Sequence, residues 1–247
     1  MIKLDHIGIN YGERRILADI NADIKDNCIT AVMGPNGCGK TTLLRCIGGL
    51  LTPNEGFAAI DGRHVGDYTP RELAQRLAFV RQDAQTDFDF TAFEIVLMGR
   101  NPYQRRLQNE SQADWDIVEE CMRQTGTWHL RFSVPSQMSG GELQRVMIAR
   151  ALAQQTPILL MDEPVSNLDI AHQLEVMRLL HTATDKTILI VIHDLNLALQ
   201  FCDRLLLLHD GHAVYHGPIA EGLTPENIKK VYGVSARLTE GRILFNY

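Results

Sequence analysis

The run Gly34-Pro35-Asn36-Gly37-Cys38-Gly39-Lys40-Thr41 fits the pattern G-x-x-x-x-G-K-[ST] at every fixed position. Its chemistry is phosphate binding. Glycines let successive backbone N–H groups turn inward around phosphate oxygens, and a helix beginning at the same point adds partial positive charge. Lys40 is placed to bridge the β- and γ-phosphates of a nucleotide, and the Thr41 hydroxyl to ligate Mg²⁺. Far downstream, Ile158-Leu159-Leu160-Met161 is closed by Asp162-Glu163. A buried strand that delivers carboxylates at its C-terminal end is how a nucleotide-binding α/β sheet builds its active edge. Asp162 is expected to hold Mg²⁺ through water, and Glu163 to face the attacking water. Together the two runs imply nucleoside triphosphate hydrolysis, without saying by which class of enzyme.

Strand and helix patterns must position these groups. Cys28–Met33 is a short apolar run before the glycine turn, which fits a buried parallel strand, and Thr41–Leu51 follows at helical intervals. Phe57–Ile60 with Asp61-Gly62 reads as strand and turn, and Leu77–Val80 as a further strand. From about 83 to 152 the chain turns mainly helical, with Trp115, Val118, Met122 and Thr125 in one stripe. Strand signals return at Ile158–Met161 and Thr187–Ile192, on either side of the amphipathic Ile170–Thr182. Arg204–His209 and Ala213–His216, joined by Asp210-Gly211, read as a hairpin. The β-α-β order implies a parallel sheet with helices on its faces. The expectation is one α/β domain over 1–247, with a core of about 1–82 and 153–247 and a helical insertion over about 83–152.

Composition narrows the class. The 247 residues carry 24 Lys+Arg against 30 Asp+Glu, a formal net charge of -6, so nothing basic points to nucleic acid. No apolar run approaches the roughly 20 residues of a membrane-spanning helix, and the start is not that of a signal peptide. Cys28, Cys38, Cys46, Cys121 and Cys202 lack CxxC spacing and read as reduced thiols. His209, His212 and His216 read as core or solvated histidines, because no acid or cysteine completes a ligand set.

The run Met138-Ser139-Gly140-Gly141-Glu142-Leu143-Gln144-Arg145-Val146, with Ala149-Arg150-Ala151-Leu152 after it, resembles the signature of ATP-binding cassette (ABC) ATPases, normally LSGGQ. Met138 keeps the apolar bulk of the usual Leu. Glu142 for the usual Gln is the larger departure, since a carboxylate near a phosphate costs electrostatic energy, and it puts the role of residue 142 in doubt. The resemblance implies the fold: a P-loop NTPase core with a mainly parallel sheet, an antiparallel β subdomain and an inserted helical subdomain. It also implies the cofactors ATP and Mg²⁺ and further site residues. Residues Gly34 to Thr41, with Thr42, would hold ATP, and Tyr11 resembles the aromatic residue that stacks on adenine. Gln82 resembles the glutamine that contacts Mg²⁺ and the attacking water. Ser166-Asn167-Leu168-Asp169 resembles the D-loop, whose Asp169 talks across a dimer. His193 resembles the switch histidine that contacts the γ-phosphate. Ser139, Gly140, Gly141 and Glu142 would meet ATP held by a second copy of the chain.

With no membrane helices, no long coiled coil and room for one cassette, the resemblance points to a transporter cassette that works with two separate permease subunits and a substrate-binding protein. Its place would be peripheral, on the cytoplasmic side of the membrane. A non-transport cassette of the iron–sulfur assembly type is the alternative. Thr91–Tyr103 and Val191–Ala198 are similar to importers for metal chelates: iron–siderophores, haem, cobalamin and, in some members, molybdate. Phe88, Phe90, Phe93 and Met98 would form a groove for a permease helix or belong to the core of the helical subdomain. Arg100, Arg105 and Arg106 would pair with acids on the partner or be solvated.

Overall fold

The computed structural model describes residues 1–81, 89–104 and 110–245. Gln82, Phe88, Arg105 and Arg106 lie outside them. In chain order the elements are β1 (Ile2–Tyr11), β2 (Arg14–Ile24), β3 (Ile29–Met33), α1 (Lys40–Ile47), β4 (Glu55–Ile60), β5 (Arg63–His64), α2 (Pro70–Ala74), β6 (Leu77–Val80), α3 (Ala92–Leu97), α4 (Gln112–Gln124), α5 (Gly140–Ala153), β7 (Ile158–Asp162) and α6 (Ile170–Thr182). They continue with β8 (Thr187–Val191), α7 (Leu195–Phe201), β9 (Arg204–His209), β10 (His212–Pro218), α8 (Ile219–Gly222), α9 (Pro225–Tyr232), β11 (Ala236–Thr239) and β12 (Arg242–Phe245). The fold is α/β. The chain divides into two units, Met1–Thr69 with Thr184–Tyr247, and Pro70–Ala183. The helical stretch expected over 83–152 falls within the second.

In the first unit, β3 is buried at all five positions and pairs in parallel with β8 on one side and β9 on the other. Burial on both faces is why these strands read as unbroken apolar runs. Strand β10 adds antiparallel to β9 through the turn Asp210-Gly211, whose φ values of 47° and 76° are those of a tight hairpin. A separate antiparallel sheet has the order β2-β1-β4-β5. Strand β2 alternates from Ala18 onward, with Ala18, Ile20, Ala22 and Ile24 inside. Strand β1 does not keep that period: Ile2 and Leu4 are buried, then Ile7 and Ile9, because the register shifts between Leu4 and Ile7. His6 there adopts φ 50°, opposite Asp19 at φ 55°, and the two side chains meet at 2.6 Å. A bulge of this kind moves the apolar set by one residue and hides the strand from a period-2 reading. Helix α1 ends at Ile47, short of the expected Leu51, where Gly48 and Gly49 close it.

In the second unit β6 and β7 pair in parallel, Val80 opposite Met161, and β7 is buried throughout. Helices α3, α4 and α5 each begin with a reciprocal capping box, at Thr91–Glu94, Ser111–Asp114 and Ser139–Glu142. On α4, Val118, Met122 and Thr125 face inward as expected. Trp115 is 49% exposed and instead lies edge-on to Phe93, ring centres 5.7 Å apart. Arg100 corrects the sequence reading outright. It neither awaits a partner protein nor sits in solvent, being 7% exposed. Its Nε donates to Asp114 Oδ1 at 2.9 Å and its Nη1 to the Ala153 carbonyl at 2.7 Å and Gln155 Oε1 at 3.2 Å. The other Asp114 oxygen caps α4 by accepting from the Ser111 hydroxyl at 2.7 Å. Nearby, Gly99 is pressed on α5 so closely that a Cβ would lie 2.4 Å from the Arg150 carbonyl oxygen.

Arg100→Ala strands a nearly buried carboxylate and the carbonyl at the end of α5. We expect it to cost about 3 kcal/mol, read by denaturant unfolding. The Arg100 hydrogen bond and then the Ser111 hydroxyl hold the Asp114 carboxyl below its ordinary range. A depressed folded-state value means that this contribution is present above the unfolded carboxylate range and lost as pH falls through the lowered one. Asp114→Asn should therefore flatten the acid limb of the stability profile, and an unchanged limb would assign it to other groups.

Candidate functional site

The glycine loop leaves β3 at its C-terminal end. Gly34 adopts φ 148°, and a Cβ there would lie 2.1 Å from the Leu208 carbonyl oxygen and 2.8 Å from Cys38 Sγ. The first glycine is thus required by the backbone of β9 as much as by any ligand. Gly39 stands at φ 103° as the residue before α1, where a Cβ would strike Leu17. Lys40 is only 6% exposed, and its Nζ donates to the carbonyls of Gly34 and Pro35, both at 2.8 Å. The ammonium is folded across the loop and held by the loop's own carbonyls. Cys38 is buried, and burial pushes its thiol up against the opposing pull of the Lys40 charge. It packs the loop and is not a poised nucleophile. Thr41 and Thr42 are half-buried in the first turn of α1.

His193 follows β8, whose Val191 is level with Val32 of β3 in the parallel register. The loop and His193 therefore leave the same edge of the first unit's parallel strands, the edge at which open α/β sheets bind ligands. His193 is exposed there, and Asp194 caps α7 by accepting from the N–H groups of Asn196 and Leu197. Tyr11, at the end of β1, is 49% exposed, as a stacking residue would have to be.

The second unit holds the remaining residues. Asp162 ends β7 and is 3% exposed, and Glu163 follows at φ 51°. A left-handed backbone on a non-glycine residue is uncommon; here it is shared with turn and bulge residues such as Asp61, Asp210 and His6, and at Glu163 it turns the chain as it leaves β7. Ser166 stabilises the turn: its N–H and hydroxyl both donate to the Glu163 carbonyl, at 3.3 and 3.0 Å. Asp169 caps α6, accepting from the His172 N–H at 2.9 Å and contacting its ring Nδ1 at 2.9 Å. Those two bonds, the backbone one foremost, draw the Asp169 carboxyl below its usual range. Ser139, Gly140 and Gly141 form the start of α5. A Cβ on Gly141 would lie 3.2 Å from Leu168 and 3.5 Å from the Asn167 carbonyl, so the signature turn rests on the D-loop.

The structure adds a relation between Ser139 and Glu142. Glu142 is the fourth residue of the box S-x-x-E, a pattern that marks helix starts. Its Oε2 accepts from both the N–H and the hydroxyl of Ser139, each at 2.8 Å, while its own N–H donates to Ser139 Oγ at 3.3 Å. The S-x-x-E spacing is itself the sequence signal for this cap.

Gly34→Ala tests the steric account of the loop. The added methyl must displace the Leu208 carbonyl or the loop, so nucleotide binding should weaken sharply in a fluorescent-nucleotide titration while far-UV circular dichroism stays native. Binding at the native level would show that the loop tolerates a Cβ at Gly34.

A family model described as ABC transporter matches residues 17–166. The ferric enterobactin transport ATP-binding protein FepC of Escherichia coli is 36% identical over 96% of this chain and 88% of its own length. The cobalamin import ATP-binding protein BtuD of Halobacterium salinarum is 40% identical over 95% of this chain, which spans 59% of that longer protein. Among solved structures, a metal-chelate type ABC transporter in an inward-facing conformation matches with a TM-score of 0.83 at 26% identity, covering 99% of this chain and 95% of that one. The ATP-binding cassette MJ0796, in a dimeric post-hydrolysis state with ADP and Pi, matches with a TM-score of 0.80 at 32% identity, covering 89% of this chain and 99% of that one.

Proposed function

This chain belongs to the ABC transporter family of ATP-binding cassettes, and from that premise we propose that it is the ATP-hydrolysing subunit of a metal-chelate importer. The cargo class is that of iron–siderophores, haem, cobalamin or molybdate, moved through two separate permease subunits and delivered by a substrate-binding protein. The observation that carries this reading is likeness along nearly the whole chain to cassettes named for ferric enterobactin transport and cobalamin import. The metal-chelate transporter likeness supports it from the side of the fold. Among the described residues no helix is long and apolar enough to cross a membrane. On this reading the chain acts from the cytoplasmic face, through its permeases. Phe93 and Met98, half-buried in the second unit, belong to the region we assign to permease contact.

ATP is held by residues 34–42, with Lys40 on its β- and γ-phosphates and Tyr11 against the base. Thr41 and Asp162 offer hard oxygen donors of the kind Mg²⁺ prefers, and a carboxylate as buried as Asp162 suits a cation. When bound, Mg²⁺ neutralises charge building on the transferred phosphoryl oxygens. Glu163, directly after β7, accepts the proton of the attacking water. His193 contacts the γ-phosphate, and Gln82, outside the described residues, is assigned to the water and the cation. Ser139, Gly140 and Gly141 meet ATP held by a second copy, so ATP becomes the dimer interface. Closure then moves the permeases only as far as ATP favours the closed state over the open one, and hydrolysis reopens it.

Glu163→Gln should bind ATP yet hydrolyse it about 10²–10³-fold more slowly, the usual worth of a positioned base, and accumulate as an ATP-bound dimer on gel filtration. Hydrolysis at the native rate would remove Glu163 from that role. The shared site has its own test. Ser139→Arg chains mixed with Lys40→Ala chains form dimers with one doubly defective and one intact site. We expect partial recovery of hydrolysis over either variant alone. If there is no recovery and no ATP-dependent crosslink between the glycine loop and the signature turn, each site is made within one chain. For the cargo, cells lacking the chain should lose uptake of one of these four labelled substrates, restored by the native chain and not by Glu163→Gln.

A further inference from the structure

We propose that Glu142 is a latch on the signature serine, holding the Ser139 hydroxyl away from the second copy's ATP and so raising the ATP concentration at which two cassettes close. The proposal rests on the reading of Ser139 as a γ-phosphate donor across the dimer. It starts from the departure of this chain from the LSGGQ pattern, a carboxylate where the pattern has an amide. One oxygen, Glu142 Oε2, takes both donors of Ser139, the backbone N–H and the hydroxyl, at 2.8 Å each. The Ser139 hydroxyl has a single proton. While that proton lies on Glu142 it is not available to a phosphate.

Charge sets the strength of this hold. The Ser139 N–H, then its hydroxyl, keep the Glu142 carboxyl below the ordinary range, with Arg145 and His129 adding in the same direction and partial burial opposing. A hydrogen bond to a carboxylate is about twice as strong as one to a neutral acceptor. With an amide at 142, the side-chain oxygen still accepts from the Ser139 N–H and preserves the cap, but the hydroxyl is held by a neutral acceptor and turns more readily. The carboxylate also repels the incoming γ-phosphate. The same box recurs at Thr91–Glu94 and Ser111–Asp114. At Ser139 a helix cap and a ligand contact compete for one proton. A cassette latched this way stays open and hydrolyses little until something further, the loaded permease, supplies the missing free energy.

The test uses the full chain carrying Glu163→Gln, so that ATP is not consumed, and reads dimer formation by analytical ultracentrifugation as ATP is titrated. Adding Glu142→Gln should lower the half-maximal ATP concentration about 10-fold, because two latches open per dimer and each tenfold is worth 1.4 kcal/mol. On the otherwise native chain, the same change should raise basal ATP hydrolysis. A helix cap that was merely structural would give loss and not gain. In a Ser139→Ala background the gain should vanish, since there is no hydroxyl to release. An unchanged or higher ATP requirement in Glu142→Gln overturns the latch, as does an equal gain with Ser139→Ala, which would reduce Glu142 to simple repulsion. If Glu163→Gln itself fails to dimerise with ATP, the composite-site reading falls and takes the latch with it. If it dimerises and Glu142→Gln makes no difference, the latch alone falls.

Discussion

At Gly34 the chain leaves a fully buried strand with no room for a methyl group. The Leu208 carbonyl of β9 occupies the space where a Cβ would stand. That contact exists because β3 is flanked in parallel by β8 and β9, with apolar side chains on both faces. The phosphate loop is therefore wedged against the sheet, and Lys40 can be nearly buried, with its charge satisfied by the loop's own carbonyls. A cation so held costs little reorganisation when a phosphate replaces those carbonyls. His193 profits from the same register, because β8 ends level with β3.

In the second unit the corresponding anchor is α5. Its first turn carries the signature residues and its last turn is fixed by a buried guanidinium. Arg100 binds the Ala153 carbonyl at one end, while Gly99 lets the neighbouring backbone approach Arg150. At the other end the Ser139–Glu142 box and the contact of Gly141 with Leu168 tie the signature turn to the D-loop. Both ends of α5 are thus fixed by contacts within its own unit, and α3 and α4 pack against it between them.

Three helix starts show how one residue serves two demands. Asp114 caps α4 with one oxygen and neutralises Arg100 with the other. Asp169 caps α6 and belongs to the D-loop. Glu142 caps α5 and, on our proposal, restrains the serine it caps. Helix starts expose N–H groups that must be satisfied, so residues recruited to ligand contact at those points carry a structural duty that any catalytic role must displace.

Much of this was legible from the residues alone, for a physical reason. Phosphate binding needs backbone N–H groups and a lysine at fixed spacing, and Gly34–Thr41 states that locally. The strands β3, β7 and β8 are buried on both faces, so their apolar runs announced them within a residue or so, and the signature run placed the family. What sequence left hidden depends on contacts distant in the chain. The bulge at Asp5–His6 shifts the apolar phase of β1. The C-terminal hairpin β11–β12 is anchored by Asn196, whose amide both donates to and accepts from Ile243, a pairing no local pattern signals. Arg100 read as a surface charge because its partners, Asp114 and Ala153, lie 14 and 53 residues away. The left-handed backbone of Glu163 and the pressure of Leu208 on Gly34 arise only when strands pack. Residue types and short spacings determined which chemistry this chain carries; tertiary packing decided where each charge is buried, what holds it, and what it must release to act.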